Sequence, residues 1–272
     1  MTVKLGIIGG GVMGEALLSR LVAQQIYRHE EVLVSEPQPH RRSVLAQQYG
    51  VAVTADNRAA ACATEVLLLA IKPQVFEAVA ADISGTVAGL TGIEPPVLVS
   101  ILAGTPLSKL QPAFPGWPVI RAMPNTPATV GAGITAIAPG TGVTPAHLEQ
   151  AGRILQSVGE VVEVPESLID AVTGLSGSGP GYVAIVIEAL TDGGVCAGLP
   201  RAIAAKLALQ TVLGTAELLR DSGMHPAELK DKVTSPGGTT IAGIAQLERA
   251  GLRSALIEAV RAASQRSKEL GS

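Results

Sequence analysis

Ile7-Ile8-Gly9-Gly10-Gly11-Val12-Met13-Gly14 sets glycines at G-x-G-x-x-G spacing between an apolar run, residues 5–8, and an Ala/Leu-rich stretch, residues 13–26. A strand before that spacing and a helix after it is the context in which it binds a dinucleotide. Gly9 permits the tight turn, Gly11 admits a pyrophosphate close to the backbone, and Gly14 lets the helix pack on the strand. The competing reading is a tight strand-to-helix turn that binds nothing. Outward from this stretch, β-branched runs recur at residues 32–35, 66–70, 97–101, 119–122 and 134–138. Helix-like segments at residues 41–49, 74–83 and 145–158 separate them. Continuous apolar strands alternating with helices predict a parallel sheet buried on both faces. Strand signals end near residue 164. Beyond it, residues 182–190, residues 201–219 after Pro200, and Leu252, Leu256, Ala259, Val260 and Ala263 keep helical spacing. The pattern predicts an α/β chain: an N-terminal Rossmann-type dinucleotide-binding domain, residues 1–164, and an all-helical domain, residues 165–272.

The composition narrows the class. Apolar residues make up 47% of the chain and charged residues 16%, a balance incompatible with disorder. A net charge of −3 without any Lys/Arg block predicts no nucleic-acid partner. Cys62 and Cys196 lie in apolar or Ala-rich sequence without metal spacing, so they read as small buried residues of a reducing compartment. The first residues lack the charge pattern of a signal peptide. Residues 182–199 are interrupted by Glu188, Asp192 and Gly193-Gly194, too polar to cross a bilayer. A cytoplasmic protein without a membrane partner is expected. Residues 182–190 are apolar on nearly every side, and a small helical domain encloses little. Either a second subunit covers them, which we expect, or they pack under the first domain.

Two further stretches point to a site. Asp170-Ala171-Val172-Thr173-Gly174-Leu175-Ser176-Gly177-Ser178-Gly179-Pro180 alternates glycine with small hydroxyl residues before an apolar helix. Ser235-Pro236-Gly237-Gly238-Thr239-Thr240 also leads into helical sequence. Such runs read as loops whose backbone approaches a ligand and whose N–H groups favour an anion. Ser35-Glu36 ends the second strand, where a carboxylate accepts from the adenosine ribose hydroxyls; the alternative is a solvated residue before Pro37. Arg41 and Arg42 follow, suited to a 2′-phosphate. Ala70-Ile71-Lys72-Pro73 ends another apolar strand, on the edge where open α/β sheets bind ligands. No Ser-His-Asp or Cys-His arrangement stands out, and residues 182–196 contain no lysine of the kind that serves hydroxyacid dehydrogenases. A site of backbone N–H groups and small hydroxyls suits a substrate that needs orientation more than a strong acid.

Together these segments resemble the pyrroline-5-carboxylate reductase family, most specifically across Asp170–Pro180 and Leu229-Lys230-Asp231 through Thr240. The resemblance implies reduction of 1-pyrroline-5-carboxylate to L-proline, the last step of proline biosynthesis. NADPH is the implied cofactor, with NADH as an alternative. It implies cofactor contacts at Ile8, Gly9, Gly10, Gly11, Val12, Met13, Gly14, Ser35, Glu36, Asn57, Ala70, Ile71, Lys72, Pro73, Leu102 and Ala103. It places Glu166, Ser176, Gly177, Ser178, Gly179, Gly238, Thr239 and Thr240 around the substrate. There the Gly238–Thr240 backbone holds the carboxylate, and the Thr240 hydroxyl, the catalytic candidate, lies beside the imine nitrogen. No metal is implied. The resemblance implies a homodimer through the helical domain, with a higher oligomer of dimers as the alternative. Arg121-Ala122-Met123-Pro124-Asn125-Thr126-Pro127 also matches the family, as cleft lining or as architecture alone. Two positions depart from the pattern: Glu36 stands where small polar residues are common, and Lys232 replaces an Asn found in some members.

Overall fold

The computed structural model describes residues 2–87 and 94–271. Two compact units emerge, one from Met1–Gly177 with Ala262–Ser272, the other from Ser178–Arg261.

The first unit is a Rossmann-type α/β domain. In chain order it runs β1 (Leu5–Ile8), α1 (Val12–Ala23), β2 (Val32–Ser35), α2 (Pro39–Tyr49), β3 (Ala52–Thr54), α3 (Asn57–Ala61) and β4 (Val66–Leu69). It continues α4 (Phe76–Val87), β5 (Val97–Ser100), α5 (Leu107–Ala113), β6 (Val119–Met123), β7 (Gly133–Pro139), α6 (Pro145–Gln156), β8 (Gly159–Glu163) and α7 (Ile169–Val172). The described strands form one sheet in the order β3-β2-β1-β4-β5-β6-β7-β8. β1, β4 and β5 are buried at every position, which is why their sequences are apolar without alternation. One face buries Leu5, Ile7, Leu68 and Val99 with Leu17 and Leu21 of α1 and Ile154 of α6. The other buries Ile8, Leu67, Leu69 and Leu98 with Phe76 of α4, Leu110 of α5 and Phe114 just past α5.

Three findings correct the sequence-based expectation. The sheet is mixed: β7 runs antiparallel to β6, and β8 runs parallel to β7. The β6–β7 connection holds only a 3₁₀ turn, Thr126–Val130, and no crossover helix to return the chain for parallel pairing. The edge strands β3 and β8 were not expected at all. They are short or half-exposed, with Glu160 and Glu163 on β8, so neither shows an apolar run. Cys62 and Cys196 are exposed free thiols rather than buried residues.

The change from strand to helix falls after β8, while the first compact unit extends on to Gly177. Ile169 of α7 is buried against Ala136 and Ala138 of β7, and the Ser267 hydroxyl donates to Asp170 Oδ1 at 2.6 Å.

The second unit is helical: α8 (Gly179–Cys196), α9 (Arg201–Ser222), α10 (Pro226–Lys232), α11 (Thr239–Arg249) and the start of α12 (Leu252–Gly271). Gly194 lets α8 approach α9, since a Cβ there would lie 3.0 Å from the Ala204 Cβ. Tyr182 donates its hydroxyl proton to the Ala259 carbonyl at 3.3 Å. Little else is enclosed. Ile185, Leu207, Leu209 and Ile257 are all more than half exposed. By length and composition α9 is the one helix among the described residues able to cross a membrane.

Gly6 shows how tightly the first unit is built. Any Cβ on this β1 residue would lie 2.0 Å from the Ala60 carbonyl oxygen of α3, backbone that cannot move alone. Gly6→Ala should therefore lower the free energy of urea unfolding by about 1–3 kcal/mol, the usual cost of overpacking. An unfolding midpoint equal to that of the parent would contradict this packing.

Candidate functional site

Each glycine of the β1–α1 turn meets a different demand. Gly9 donates its N–H to the Ser35 carbonyl at 2.8 Å and has φ = +104°, and a Cβ there would strike the Ala70 carbonyl oxygen at 2.5 Å. Gly14 lies so close to the turn that its Cβ would sit 2.2 Å from the Gly9 carbonyl oxygen. Gly10 donates its N–H to Glu36 Oε2 at 3.0 Å. Gly11 precedes α1, no side chain caps it, and a Cβ there would meet nothing within 4 Å. Open space over an uncapped helix start is suited to a phosphate, because orphan N–H groups and the helix dipole both favour an anion. Val12 is 72% exposed beside it, and Met13 is half-buried.

Glu36 is not a solvated residue: it is only 7% exposed, and its second oxygen accepts the Gln38 N–H at 3.0 Å. Ser35 donates to Asn57 Oδ1 at 2.7 Å, and Asn57 donates onward to Asp82 Oδ2 at 3.2 Å. Arg41 donates through Nε to the Gly10 carbonyl at 2.7 Å and pairs with the Glu15 carboxylate. The same carboxylate accepts from Tyr49, whose hydroxyl is pushed up to about 12 by partial burial and then by that bond. Arg42 Nη1 donates to the carbonyls of Glu36 and Pro37 at 2.7 and 2.8 Å. Sequence reasoning missed Glu15, Tyr49 and Asp82, since no local pattern marks partners this far apart in the chain.

Ala70 and Ile71 lie against Gly9 at the end of β4. Lys72 is exposed, and Pro73 opens a 3₁₀ turn, Pro73–Val75. Leu102 is buried and Ala103 exposed just past β5. The expected cofactor residues thus gather at the carboxyl ends of β1, β2, β4 and β5. Strand order reverses between β1 and β4, the position where open α/β sheets form a ligand crevice. A cavity of about 670 Å³, lined by Phe114, Trp117 and His147 among others, lies at the opposite, amino ends of β5 and β6. It contains none of the expected site residues.

The substrate candidates sit in three places. Glu166 accepts from the Leu107 N–H and from Arg121 Nη1 at 3.2 Å. Arg121 is only 4% exposed, and its other end lies 3.9 Å from Asp170, so two carboxylates balance one buried cation. The Gly/Ser run is helical rather than an open loop. α7 passes into a π-helical turn, Thr173–Gly177, and then into α8. Thr173 and Ser176 direct their hydroxyls back to the carbonyls of Ile169 and Val172, at 2.9 and 3.1 Å, as helical hydroxyl residues do. π turns of this kind are frequent at functional sites. Ser176 and Gly177 close the first unit, while Ser178 and Gly179 open the second.

In the second unit Gly237 has φ = +67°, and Gly238 donates its N–H to the Ser235 carbonyl at 3.0 Å. That turn delivers Thr239 and Thr240 to the start of α11, which has no side-chain cap. Thr239 is exposed and Thr240 half-buried. The first-turn N–H groups there can receive a carboxylate.

Known proteins resemble this chain in sequence and in fold. Residues 166–270 match the family model for pyrroline-5-carboxylate reductase dimerisation, and residues 4–104 match that of the coenzyme F420-dependent NADP oxidoreductases. A pyrroline-5-carboxylate reductase of Synechocystis is 61% identical over 100% of this chain and 99% of its own. One from Methanosarcina acetivorans is 45% identical over 98% of each. Among solved structures, the Coxiella burnetii enzyme of the same name superposes with a TM-score of 0.91 at 32% identity, covering all of both chains. The Plasmodium falciparum pyrroline carboxylate reductase, solved with NADP bound, gives 0.87 at 30% identity, over 99% of this chain and 98% of its own. On its sequence and its fold alike, the chain belongs to the pyrroline-5-carboxylate reductase family.

Proposed function

We infer that this chain reduces 1-pyrroline-5-carboxylate to L-proline with NADPH, the last step of proline biosynthesis, and accepts NADH as well. The observation that carries the reading is the β1–α1 turn in a member of this family: three glycines hold the backbone open above an uncapped helix, at the sheet's reversal point. That turn fits a pyrophosphate, and Ser35, Glu36, Asn57, Lys72 and Ala103 surround the same edge. When bound there, the nicotinamide supplies the hydride. The protein's own groups orient the imine. The backbone of Gly238, Thr239 and Thr240 at the start of α11 receives the carboxylate, and the Thr240 hydroxyl contacts the ring nitrogen. Glu166 and the segment Ser176–Gly179 shape the pocket. An imine that enters protonated gains hydride at carbon and needs no further proton, so an orienting hydroxyl suffices. In this reading residues 1–164 serve the cofactor and residues 165–272 serve substrate and assembly.

Assembly as a homodimer follows from the helical unit. Ile185, Leu207, Leu209 and Ile257 expose more apolar surface than a stable monomer usually tolerates, and a second copy of the unit would cover them. The same pairing accounts for the apolar length of α9 in a cytoplasmic enzyme.

Incubation with pyrroline-5-carboxylate and NADPH should consume nicotinamide absorbance in step with proline formation; no substrate-dependent oxidation with either cofactor would refute the assignment. In the same assay Thr240→Ala should cut turnover by about 10–100-fold, at or below the usual range for general acids, with cofactor affinity nearly intact. Unchanged kinetics would remove Thr240 from the mechanism. Sedimentation at micromolar concentration should find a dimer or a multiple of it, and a monomer would contradict the proposed interface.

A further inference from the structure

We propose that Arg41 is a positioning residue that fixes the glycine turn, and not a ligand for a cofactor 2′-phosphate. The proposal rests on the dinucleotide reading of the β1–α1 turn. A basic residue just past β2 is where a 2′-phosphate would ordinarily find its partner. Here the guanidinium is already committed. Nε donates to the Gly10 carbonyl at 2.7 Å, and the far end pairs with Glu15 on α1. Glu15 is held in turn by the Tyr49 hydroxyl at 2.9 Å, from the last residue of α2. The Arg41 and Glu15 side chains are about three-quarters buried, at 27% and 25% exposure, so this pair is not a freely solvated one.

The target of the bond matters more than its strength. Gly10 has no side chain to restrict its backbone, and it sits between Gly9, which needs positive φ, and Gly11, which must stay open. Its N–H is held by Glu36 and its carbonyl by Arg41, both from the segment that follows β2. One residue at the centre of the turn is therefore gripped on both polar groups. Turning Arg41 outward to a phosphate would release the Gly10 carbonyl and leave the Glu15 carboxylate with Tyr49 alone. Its contribution to binding should therefore be the same for both cofactors, since NADPH and NADH share the pyrophosphate.

Fluorescence titration of the parent, Arg41→Leu, Arg41→Lys and Glu15→Gln with NADPH and with NADH tests this. Arg41→Leu should weaken both by a like factor, about 10-fold, the scale expected when a charged hydrogen bond is lost. Glu15→Gln should weaken both in the same direction. Arg41→Lys should not rescue, because a single ammonium cannot reproduce the fork that spans Gly10 and Glu15. A tenfold loss confined to NADPH, restored by Arg41→Lys, would overturn the proposal, as would unchanged affinity for both cofactors in Arg41→Leu. A parent that bound neither cofactor would instead overturn the dinucleotide reading, and this proposal with it.

Discussion

The Glu36–Gly10 hydrogen bond is the interaction on which the rest of this site depends. Glu36 is a buried carboxylate just past the end of β2, and Gly10 is the middle of the turn that follows β1. The bond stitches together the two strand ends at the point where a nucleotide must enter. A buried carboxylate is costly unless its oxygens are satisfied. Here one oxygen takes the Gly10 N–H and the other the Gln38 N–H. Two N–H groups do not exhaust the four lone-pair positions of a carboxylate, so Glu36 can brace the turn and still accept a ribose hydroxyl.

A second constraint governs the helical unit. Its helices are apolar enough to require burial, but the unit buries few of their side chains itself: Thr191 on α8, Ala204 and Ala208 on α9. Small residues at the α8–α9 contact bring the two backbones close without forming a broad core. Many of the remaining leucines and isoleucines, Ile185, Leu207, Leu209 and Ile257 among them, stay exposed, which is the apolar surface a second copy would cover in the proposed dimer.

Much of the first unit was legible in the sequence for physical reasons. Strands buried on both faces have no choice but to be apolar, so β1, β4 and β5 announce themselves. The glycine turn is legible because Gly9 and Gly14 answer steric demands that a Cβ would violate, while Gly11 leaves the space above the helix start open. What was not legible depends on distance or on exposure. Strand direction leaves no mark in residues 133–139, so the reversal at β7 was invisible. The edge strands β3 and β8 lack the apolar run that identifies a buried strand. The Gly/Ser run looked like a loop because its composition is that of one, yet it is helical, with the Thr173 and Ser176 hydroxyls turned back onto carbonyls one turn earlier. Arg41 was readable as a basic residue near a phosphate, while its engagement with Glu15, 26 residues away, appears only in three dimensions. Arg121 was likewise visible only as part of a motif, without the carboxylates that surround it.

Amide hydrogen exchange resolved at single residues is the most direct test of the claim that the turn is built before its ligand arrives. Gly10 should be strongly protected in the protein without cofactor, because its N–H already belongs to Glu36, and NADPH should add little. Gly11, Val12 and Met13, at the uncapped start of α1, should gain protection only when NADPH is present. If Gly10 exchanged as freely as an unstructured peptide until cofactor was added, the ligand would be what forms the turn, and a turn braced in advance by Glu36 would be refuted.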